Sequence, residues 1–291
     1  MVTLHKKSGC KVNLLLNILG RRPDGMHALE TVMQPVPLTD ELTFERVSVG
    51  IHLTCTHPDL PVDGGNLVYR AAERFLGAAG VADGVRIHLD KRLPLAAGIG
   101  AGSANAAVTL LALNELFGGP LPSADLVRLA AALGSDVPFF LQNGPAIATG
   151  RGEHVVTLAP SRALVGAGLV LIRPGFGVST PWAYQALAGF PEALQGRPGR
   201  AAELVHVLQG EDLGAVARCL YNSLEAPVLR KYPLLAEFQE FLREAGAVGA
   251  LMSGSGSTTF ALTRDRSAGE RILELFRSKF GADGWTAVVA L

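Results

Sequence analysis

This 291-residue chain has no excess of positive or negative charge, because its 26 lysines and arginines balance its 26 aspartates and glutamates. A basic excess is what attracts the phosphates of nucleic acids and acidic lipid surfaces. Because the chain has no such excess, we expect no nucleic-acid partner and no membrane partner. A small molecule is the expected substrate.

Cysteine is also scarce, and Cys10, Cys55 and Cys219 are widely spaced and odd in number. Such a set argues against a disulfide framework and fits a reducing compartment. No apolar run approaches the roughly 20 residues that a membrane-spanning helix needs. The apolar run at residues 12–19 is interrupted by two asparagines and lacks a small-residue cleavage site, so it is not a signal peptide. We therefore expect a cytoplasmic protein.

Three common active-site motifs are missing as well. No glycine is followed by Lys-Ser or Lys-Thr, as a Walker phosphate loop requires. A dinucleotide fingerprint that starts at Gly98 and Gly100 would need glycine where Ser103 stands. No Gly-x-Ser-x-Gly elbow occurs, which argues against a serine hydrolase.

The composition that is present predicts a large core, since 48% of the residues are hydrophobic and only 18% are charged. The length fits one large or two medium domains, and we favour two. Turn signals at residues 143–145 and 150–152 predict domains 1–152 and 153–291. Runs of strands followed by runs of helices indicate an α+β fold and not a doubly wound parallel sheet.

Hydrophobic periodicity gives a coarse order of elements. Strands are predicted for residues 11–19, 27–36 and 41–56, with a turn near Thr39-Asp40 and antiparallel pairing between consecutive strands. Further elements are predicted as helices 66–79, 103–117, 123–133, 181–188, 201–208 and 229–244, and as strands 85–89, 146–149 and 169–173, with a closing strand, helix and strand.

Residues 93–107 carry the most informative pattern, Leu-Pro-Leu-Ala-Ala-Gly-Ile-Gly-Ala-Gly-Ser-Ala-Asn-Ala-Ala, which runs into a predicted helix. Glycines let the backbone approach a ligand closely, and the first amide groups of a helix have no partner within that helix. Together they form a binding site for an anion such as a phosphate. The alternative is a tight turn that packs a helix against a strand.

Three further segments carry polar groups. Lys11 and Asn13 share one face of a predicted strand, although a lysine at a strand start is often solvated. Asp136 lies between a glycine turn and an apolar block, where it either caps the next element or acts as a partly desolvated acid beside an ammonium such as that of Lys11. Residues 253–258, Ser-Gly-Ser-Gly-Ser-Thr, fit either a hairpin turn or a second phosphate-binding wall.

These segments, in this order, resemble the three motifs of the superfamily of galactokinase, homoserine kinase, mevalonate kinase and phosphomevalonate kinase. They are Lys11-Val12-Asn13-Leu14, residues 94–107 and residues 252–257, and the resemblance spans nearly the whole chain. It implies a two-domain α+β small-molecule kinase with the active site between the domains. Asp24-Gly25-Met26-His27 and residues 134–138 are similar to the branch that phosphorylates the 2-hydroxyl of a cytidine diphosphate-linked methylerythritol, in the non-mevalonate route to isoprenoid precursors.

The resemblance also implies site residues. Lys11 and Asp136 match the catalytic pair, and the implied substrate contacts are Asn13, Met26, His27, Tyr184 and Asp136. The implied ATP contacts are Pro94, Leu95, Ala96, Ala97, Gly98, Ile99, Gly100, Ala101, Gly102, Ser103 and Ala104, with Gly254, Ser255 and Gly256, and with Asn66 and Lys91 near the adenine. Helix capping and solvation explain Asn66 and Lys91 equally well. Lys231 and Tyr232 we interpret as ordinary helix-surface and core residues.

Magnesium is expected with the ATP, but the sequence shows no paired carboxylates to hold it, so its ligands are unknown and Ser103 is only a candidate. The chain departs from the family at several positions. Met26 stands where the family usually has tyrosine, and Ala101 and Ala104 replace a glycine and a serine of the phosphate-binding stretch. Two alternatives stay open. One is a kinase of the same superfamily that acts on another small alcohol, such as mevalonate or homoserine; the other, which these departures suggest, is a catalytically silent nucleotide-binding protein.

Overall fold

A computed structural model describes residues 2–291 of the chain. Its elements are mixed in type, as predicted. The strands are β1 Thr3–Arg21, β2 His27–Val47, β3 Ile51–Cys55, β4 Gly84–Asp90, β5 Ala146–Thr149, β6 His154–Thr157, β7 Gly168–Arg173, β8 Tyr221–Asn222, β9 Gly249–Met252, β10 Thr259–Thr263 and β11 Trp285–Ala290. The helices are α1 Leu67–Ala79, α2 Ala101–Leu116, α3 Ser123–Leu133, α4 Thr180–Ala186, α5 Pro191–Leu194, α6 Arg200–Leu208, α7 Leu213–Cys219, α8 Glu225–Lys231, α9 Pro233–Glu244 and α10 Arg266–Phe280.

The chain divides into two compact units, neither of which is continuous in sequence. The first unit consists of the chain up to Cys10, Leu38–Leu93 and Gly100–Asn143; the second consists of Lys11–Pro37, Pro94–Ile99 and Gly144–Leu291. The predicted domains, 1–152 and 153–291, remain a prediction. The two compact units are defined by which residues lie close together in space, and such units need not coincide with domains that follow each other along the chain.

The first unit contains β3, β4 and parts of β2 and β1, in the order β3-β4-β2-β1, together with three helices. Strand β4 pairs antiparallel with residues 41–47 of β2 and parallel with β3. Helices α1, α2 and α3 contact one another, and their apolar faces cover a core in which Phe44, Phe75 and Ile87 are fully buried. Ala and Leu dominate α2, so this helix is buried along most of its length.

The second unit contains a four-stranded antiparallel sheet in the order β11-β7-β10-β9. Strands β9 and β10 form a hairpin whose connection is residues 253–258. Elsewhere in this unit β1 pairs parallel with β8 at Leu15↔Tyr221, and β5 pairs antiparallel with β2. Four phenylalanines of α9 and α10 pack in edge and tilted contacts and fix these helices together, namely Phe238, Phe241, Phe276 and Phe280.

The predicted turn at Thr39-Asp40 is wrong, because β2 continues through it to Val47. Asp40 is a buried hydrogen-bond acceptor within the strand and not an exposed turn residue. The predicted strand 41–56 is therefore two strands, separated by a bend at residues 48–50. The pairing prediction also fails here, because β3 pairs parallel with β4 and not antiparallel with its predecessor.

The predicted helix 229–244 is also wrong, since the structure has two helices there, α8 and α9. Pro233 occupies the first turn of α9, and Tyr232 before it has φ −124° and ψ 73°. A proline disfavours helical backbone at the preceding residue, which ends α8.

None of the helices within residues 2–291 combines the length and the apolar composition that a transmembrane span requires.

Candidate active site

The glycine loop, residues 94–100, ends at the start of α2. Gly98 and Gly100 have φ of +73° and +70°, a region that glycine enters without a Cβ penalty. Gly100 is the N-cap residue of α2, the first turn of the helix contains no acidic side chain, and the Ala104 amide donates to the Gly100 carbonyl over 2.9 Å. The preceding amides of α2 have no acceptor within the helix, so this helix start favours an anion.

A second small-residue loop packs against the glycine loop within the second unit. This Gly/Ser loop, residues 253–258, is buried throughout. The Ser253 hydroxyl donates to the Gly98 carbonyl over 3.0 Å, and the Thr258 amide donates to the Ala97 carbonyl over 3.2 Å. A Cβ at Gly98 would lie 2.2 Å from the Ser253 carbonyl oxygen, so only glycine permits this approach. Two motifs 155 residues apart thus form one backbone surface.

Lys11 lies against the same surface, and only 2% of the residue is exposed. Its amide donates to the Ile99 carbonyl over 2.9 Å, and its ammonium donates to Asn13 Oδ1 and to the Gly98 carbonyl, the latter over 3.4 Å. The alternative of a solvated lysine at a strand start is therefore wrong. β1 instead delivers a buried positive charge to the glycine loop.

Asn13 links β1 to the Gly/Ser loop. Its amide N–H donates to Ser253 Oγ over 3.2 Å, and its side-chain amide donates to Thr31 Oγ1 over 2.9 Å. The Thr31 hydroxyl in turn donates to the Leu15 carbonyl. These bonds fix the side chain that accepts from Lys11, and the ammonium is oriented as a result.

Asp136 belongs to the first unit and lies half-buried in the turn after α3. Val137 and Phe139, which follow it in the sequence, are buried. Val137 occupies the N-cap position of the following short helix at Pro138–Leu141. The roles of Asp136 as a cap and as a partly desolvated acid both remain predictions. The meeting of Asp136 with Lys11 remains a prediction.

His27 and Tyr184 approach each other in the second unit, with ring centroids 5.3 Å apart and planes inclined by 40°. Burial lowers the pKa of His27 below its ordinary value of 6.5, and the positive charge of Arg21 lowers it further. The imidazole is therefore neutral near pH 7. Met26 beside it is 45% exposed. The two residues are 157 positions apart in the sequence, and only the resemblance implied that both belong to one substrate site.

The shifted histidine makes stability depend on pH. Because the pKa of His27 is lower in the folded chain, the unfolded chain binds more protons as pH falls through 6.5. The unfolding free energy should therefore fall between pH 7 and pH 5, and it should fall less in His27→Gln. Urea unfolding at both pH values checks this, and an equal fall in both proteins would contradict it.

Asn66 and Lys91 have structural partners in the first unit. Asn66 caps α1, since its Oδ1 accepts from the Val68 amide over 2.9 Å. The Lys91 ammonium lies 2.7 Å from Asp40 Oδ2, with both side chains buried, so the alternative of a solvated Lys91 is wrong. Their contacts with adenine remain predictions. Lys231 is exposed as expected, but its ammonium lies 3.9 Å from the centre of the Trp182 ring.

Asn222 is a site residue that the sequence analysis missed. It is buried, and its side-chain amide donates to the carbonyls of Met252 and Gly254 over 2.7 and 2.8 Å. Its Oδ1 accepts from the Leu224 amide over 2.9 Å. Only this last, local bond follows a pattern that is readable in sequence. The other two bonds hold the start of the Gly/Ser loop and join residues about 30 positions apart.

Comparisons with known proteins define the class. The model of the GHMP kinases N-terminal domain matches residues 66–144, and that of the GHMP kinases C-terminal domain matches residues 201–282. A solved homoserine kinase from Cytophaga hutchinsonii, 22% identical, shares the fold with a TM-score of 0.75 over 99% of this chain and 93% of that chain. The α+β two-domain kinase fold is thereby confirmed, and the class is the GHMP kinases.

More similar relatives narrow the assignment. A protein of Pelotomaculum thermopropionicum named 4-diphosphocytidyl-2-C-methyl-D-erythritol kinase is 46% identical over 92% of this chain and 91% of its own length. A solved 4-(cytidine 5'-diphospho)-2C-methyl-D-erythritol kinase is 36% identical, covers 98% of both chains and has a TM-score of 0.79. The chain belongs to the 4-diphosphocytidyl-2-C-methyl-D-erythritol kinase family.

Proposed function

We propose that the protein transfers the γ-phosphoryl group of ATP to the 2-hydroxyl of 4-diphosphocytidyl-2-C-methyl-D-erythritol. The observation that carries this proposal is the buried ammonium of Lys11 on the surface formed by the glycine loop and the Gly/Ser loop. The family relatives supply the substrate. Mevalonate and homoserine kinases share only the fold at 22% identity or less, so they support no competing substrate.

The glycine loop and the start of α2 are proposed to hold the phosphates of ATP. Phosphoryl transfer passes through a loose transition state with charge on the γ-phosphoryl oxygens, so the protein mainly positions and supplies fixed donors. Backbone amides serve this role well because they are already oriented before the reaction starts. Ser103, half-buried in the first turn of α2, adds a hydroxyl. The side chains of Ala101 and Ala104 are buried and offer only methyl groups.

Asp136 is proposed as the base. The substrate oxygen forms a bond to the γ-phosphorus, the bond from that phosphorus to the β–γ bridging oxygen breaks, and ADP leaves. The hydroxyl proton passes to the Asp136 carboxylate. We propose that the Lys11 ammonium stabilises the developing negative charge on the substrate oxygen.

Magnesium is proposed to accompany the nucleotide. Within residues 2–291, no group of three or more His, Cys, Asp or Glu side chains is arranged to hold a metal ion. This fits Mg²⁺, which often keeps several waters and binds mainly through substrate phosphates. Ser103 is the candidate protein ligand. When bound, the ion would neutralise phosphate charge.

The cytosine ring is proposed to bind at the His27 and Tyr184 pair. A neutral imidazole and a tilted phenol ring 5.3 Å apart offer apolar faces and polar edges to a flat base. Met26 supplies an adaptable apolar contact in place of the usual tyrosine.

A coupled ADP-release assay with three alcohols tests the proposed function. We expect turnover of the cytidine substrate at a kcat/KM about 100-fold or more above that of mevalonate or homoserine, because a site built for a cytosine leaves buried polar groups unpaired with a smaller alcohol. Equal turnover of all three would contradict the proposed specificity, and turnover of mevalonate or homoserine alone would exclude the proposed substrate. ATP binding without any turnover would favour the silent nucleotide-binding alternative.

A further inference from the structure

The chain entering the glycine loop and the helix leaving it are fastened to one buried carboxylate, that of Asp40. Asp40 is 0% exposed. Its Oδ1 accepts from the amides of Arg92 and Leu93, each over 2.8 Å, just before the loop begins. Its Oδ2 accepts from the side-chain amide of Asn105 over 3.0 Å, just after the loop ends.

Lys91 completes this arrangement. Its ammonium donates to Asp40 Oδ2 and to the Leu93 carbonyl, each over 2.7 Å, and only 2% of the side chain is exposed. Asn105 makes a second bond, to Ser8 Oγ over 2.9 Å. All these residues belong to the first unit.

A buried ion pair is weak as a source of stability, because removing two charges from water offsets most of their attraction. A pair of apolar residues would fill the same volume without that cost. The Asp40 carboxylate instead does what an apolar side chain cannot, since it accepts four hydrogen bonds from groups on both sides of the loop. Its geometry therefore sets the span between residue 93 and residue 105.

We propose that Asp40 is a positioning residue for the glycine loop, and that Lys91 and Asn105 act with it as a clamp that holds the loop in its phosphate-binding shape. This rests on the proposed function. It also gives Lys91 a role that differs from an adenine contact, because its ammonium already has an anion and a carbonyl as partners.

The Asp40→Asn variant tests the clamp. Asparagine keeps an oxygen for the two amides but presents an NH₂ group to Lys91 and Asn105, which are both donors. We expect the KM for ATP to rise about 10-fold or more, while the KM for the cytidine substrate stays within twofold. A purely structural role would lower the melting temperature and the active fraction without separating the two KM values.

Two further variants keep the test decisive. Asn105→Ala removes one bond from the clamp and retains the ion pair, so we expect a smaller rise in the KM for ATP, about threefold to tenfold. If Asp40→Asn does not fold, the KM for ATP of Asn105→Ala is the measurement that tests the clamp. In Asp40→Asn/Asn105→Asp, donor and acceptor are exchanged between positions 40 and 105 and their hydrogen bond is retained, so the KM for ATP should return part of the way toward the wild-type value.

The matched control is Asp83→Asn, which removes an exposed carboxylate paired with Arg46 in the same unit and should leave both KM values unchanged. A KM for ATP within twofold of wild type in Asp40→Asn, or in Asn105→Ala where the first does not fold, would overturn the clamp. Wild-type protein without kinase turnover would instead overturn the proposed function.

Discussion

Replacing Lys11 by methionine should lower kcat by about 10³-fold while the protein remains folded. Methionine retains an unbranched stem in a site that is 2% exposed, so the packing loss is small. The ammonium, however, is the charge that β1 delivers to the glycine loop. Removing one preorganised donor from a developing negative charge typically costs 10²- to 10³-fold in rate, and we expect the upper end for a full charge. Steady-state ADP release and thermal melting measure the two effects.

Lys6→Met is the control for this experiment. Lys6 is also a β1 lysine, but its ammonium pairs with the exposed Glu115 and its side chain is 33% exposed. We expect wild-type turnover. If Lys11→Met kept more than one tenth of the wild-type kcat, the proposed role of the ammonium would be wrong.

A double-mutant cycle extends this prediction to Asp136. Asp136→Asn alone should lower kcat by about 10²- to 10⁴-fold, as is typical for loss of a positioned base. Because groups that act as a unit are strongly non-additive, the Lys11→Met/Asp136→Asn double variant should be no more than about 10-fold slower than the slower single variant. A double variant that shows the full product of both losses would mean that the two groups act independently.

Replacing Gly98 by alanine should abolish ATP-dependent turnover and destabilise the protein by about 3 kcal/mol or more, as overpacking and backbone strain add. The new Cβ would lie 2.2 Å from the Ser253 carbonyl oxygen and 2.9 Å from the Gly256 amide nitrogen, both of them backbone atoms. Backbone atoms cannot move away from the new methyl group as the end of a flexible side chain can. The Gly/Ser loop and the glycine loop must then separate, and the surface that carries Lys11 is lost with them.

Gly118→Ala separates the steric effect from the conformational one. Gly118 has a φ of +84°, close to the +73° of Gly98, but a Cβ there would meet no atom within 4 Å. The Gly118→Ala variant should therefore lose only about 1–2 kcal/mol of unfolding free energy, which is the cost of placing alanine in the left-handed conformation, and its turnover should be retained. Urea unfolding and ADP release on both variants measure this difference. Equal destabilisation of the two would show that the contact with Ser253 is unimportant.

Local patterns predicted those parts of the protein that depend on neighbouring residues. Glycine spacing and an acid-free helix start gave the glycine loop, and the interruption of strand patterns by helical ones gave the α+β class. The same reasoning failed at Asp40. An aspartate after a threonine is typical of a turn, but here its carboxylate is stabilised by donors that lie 51 to 65 positions further along the chain. No local signal reports partners at that distance.

Asn222 is a second residue whose long-range contacts could not be predicted from the sequence. Its bond to Leu224 is local, yet what matters for the site is its hold on Met252 and Gly254. Likewise the alternation of Gly and Ser at residues 253–258 permits either a flexible turn or a rigid wall. The choice is made by burial and by the packing of Gly98 against Ser253.

The order of residues by itself therefore determined where the backbone can turn tightly, which side chains carry charge, and which motifs belong to a kinase. The tertiary structure alone decided that Lys11, the glycine loop and the Gly/Ser loop form one surface, and that Asp40 fastens both ends of the loop. The physical reason is that the two kinds of interaction act over different distances along the chain. Backbone preferences act over a few residues, whereas a buried charge is stabilised by whichever donors the fold brings within about 3 Å of it, wherever they lie in the sequence.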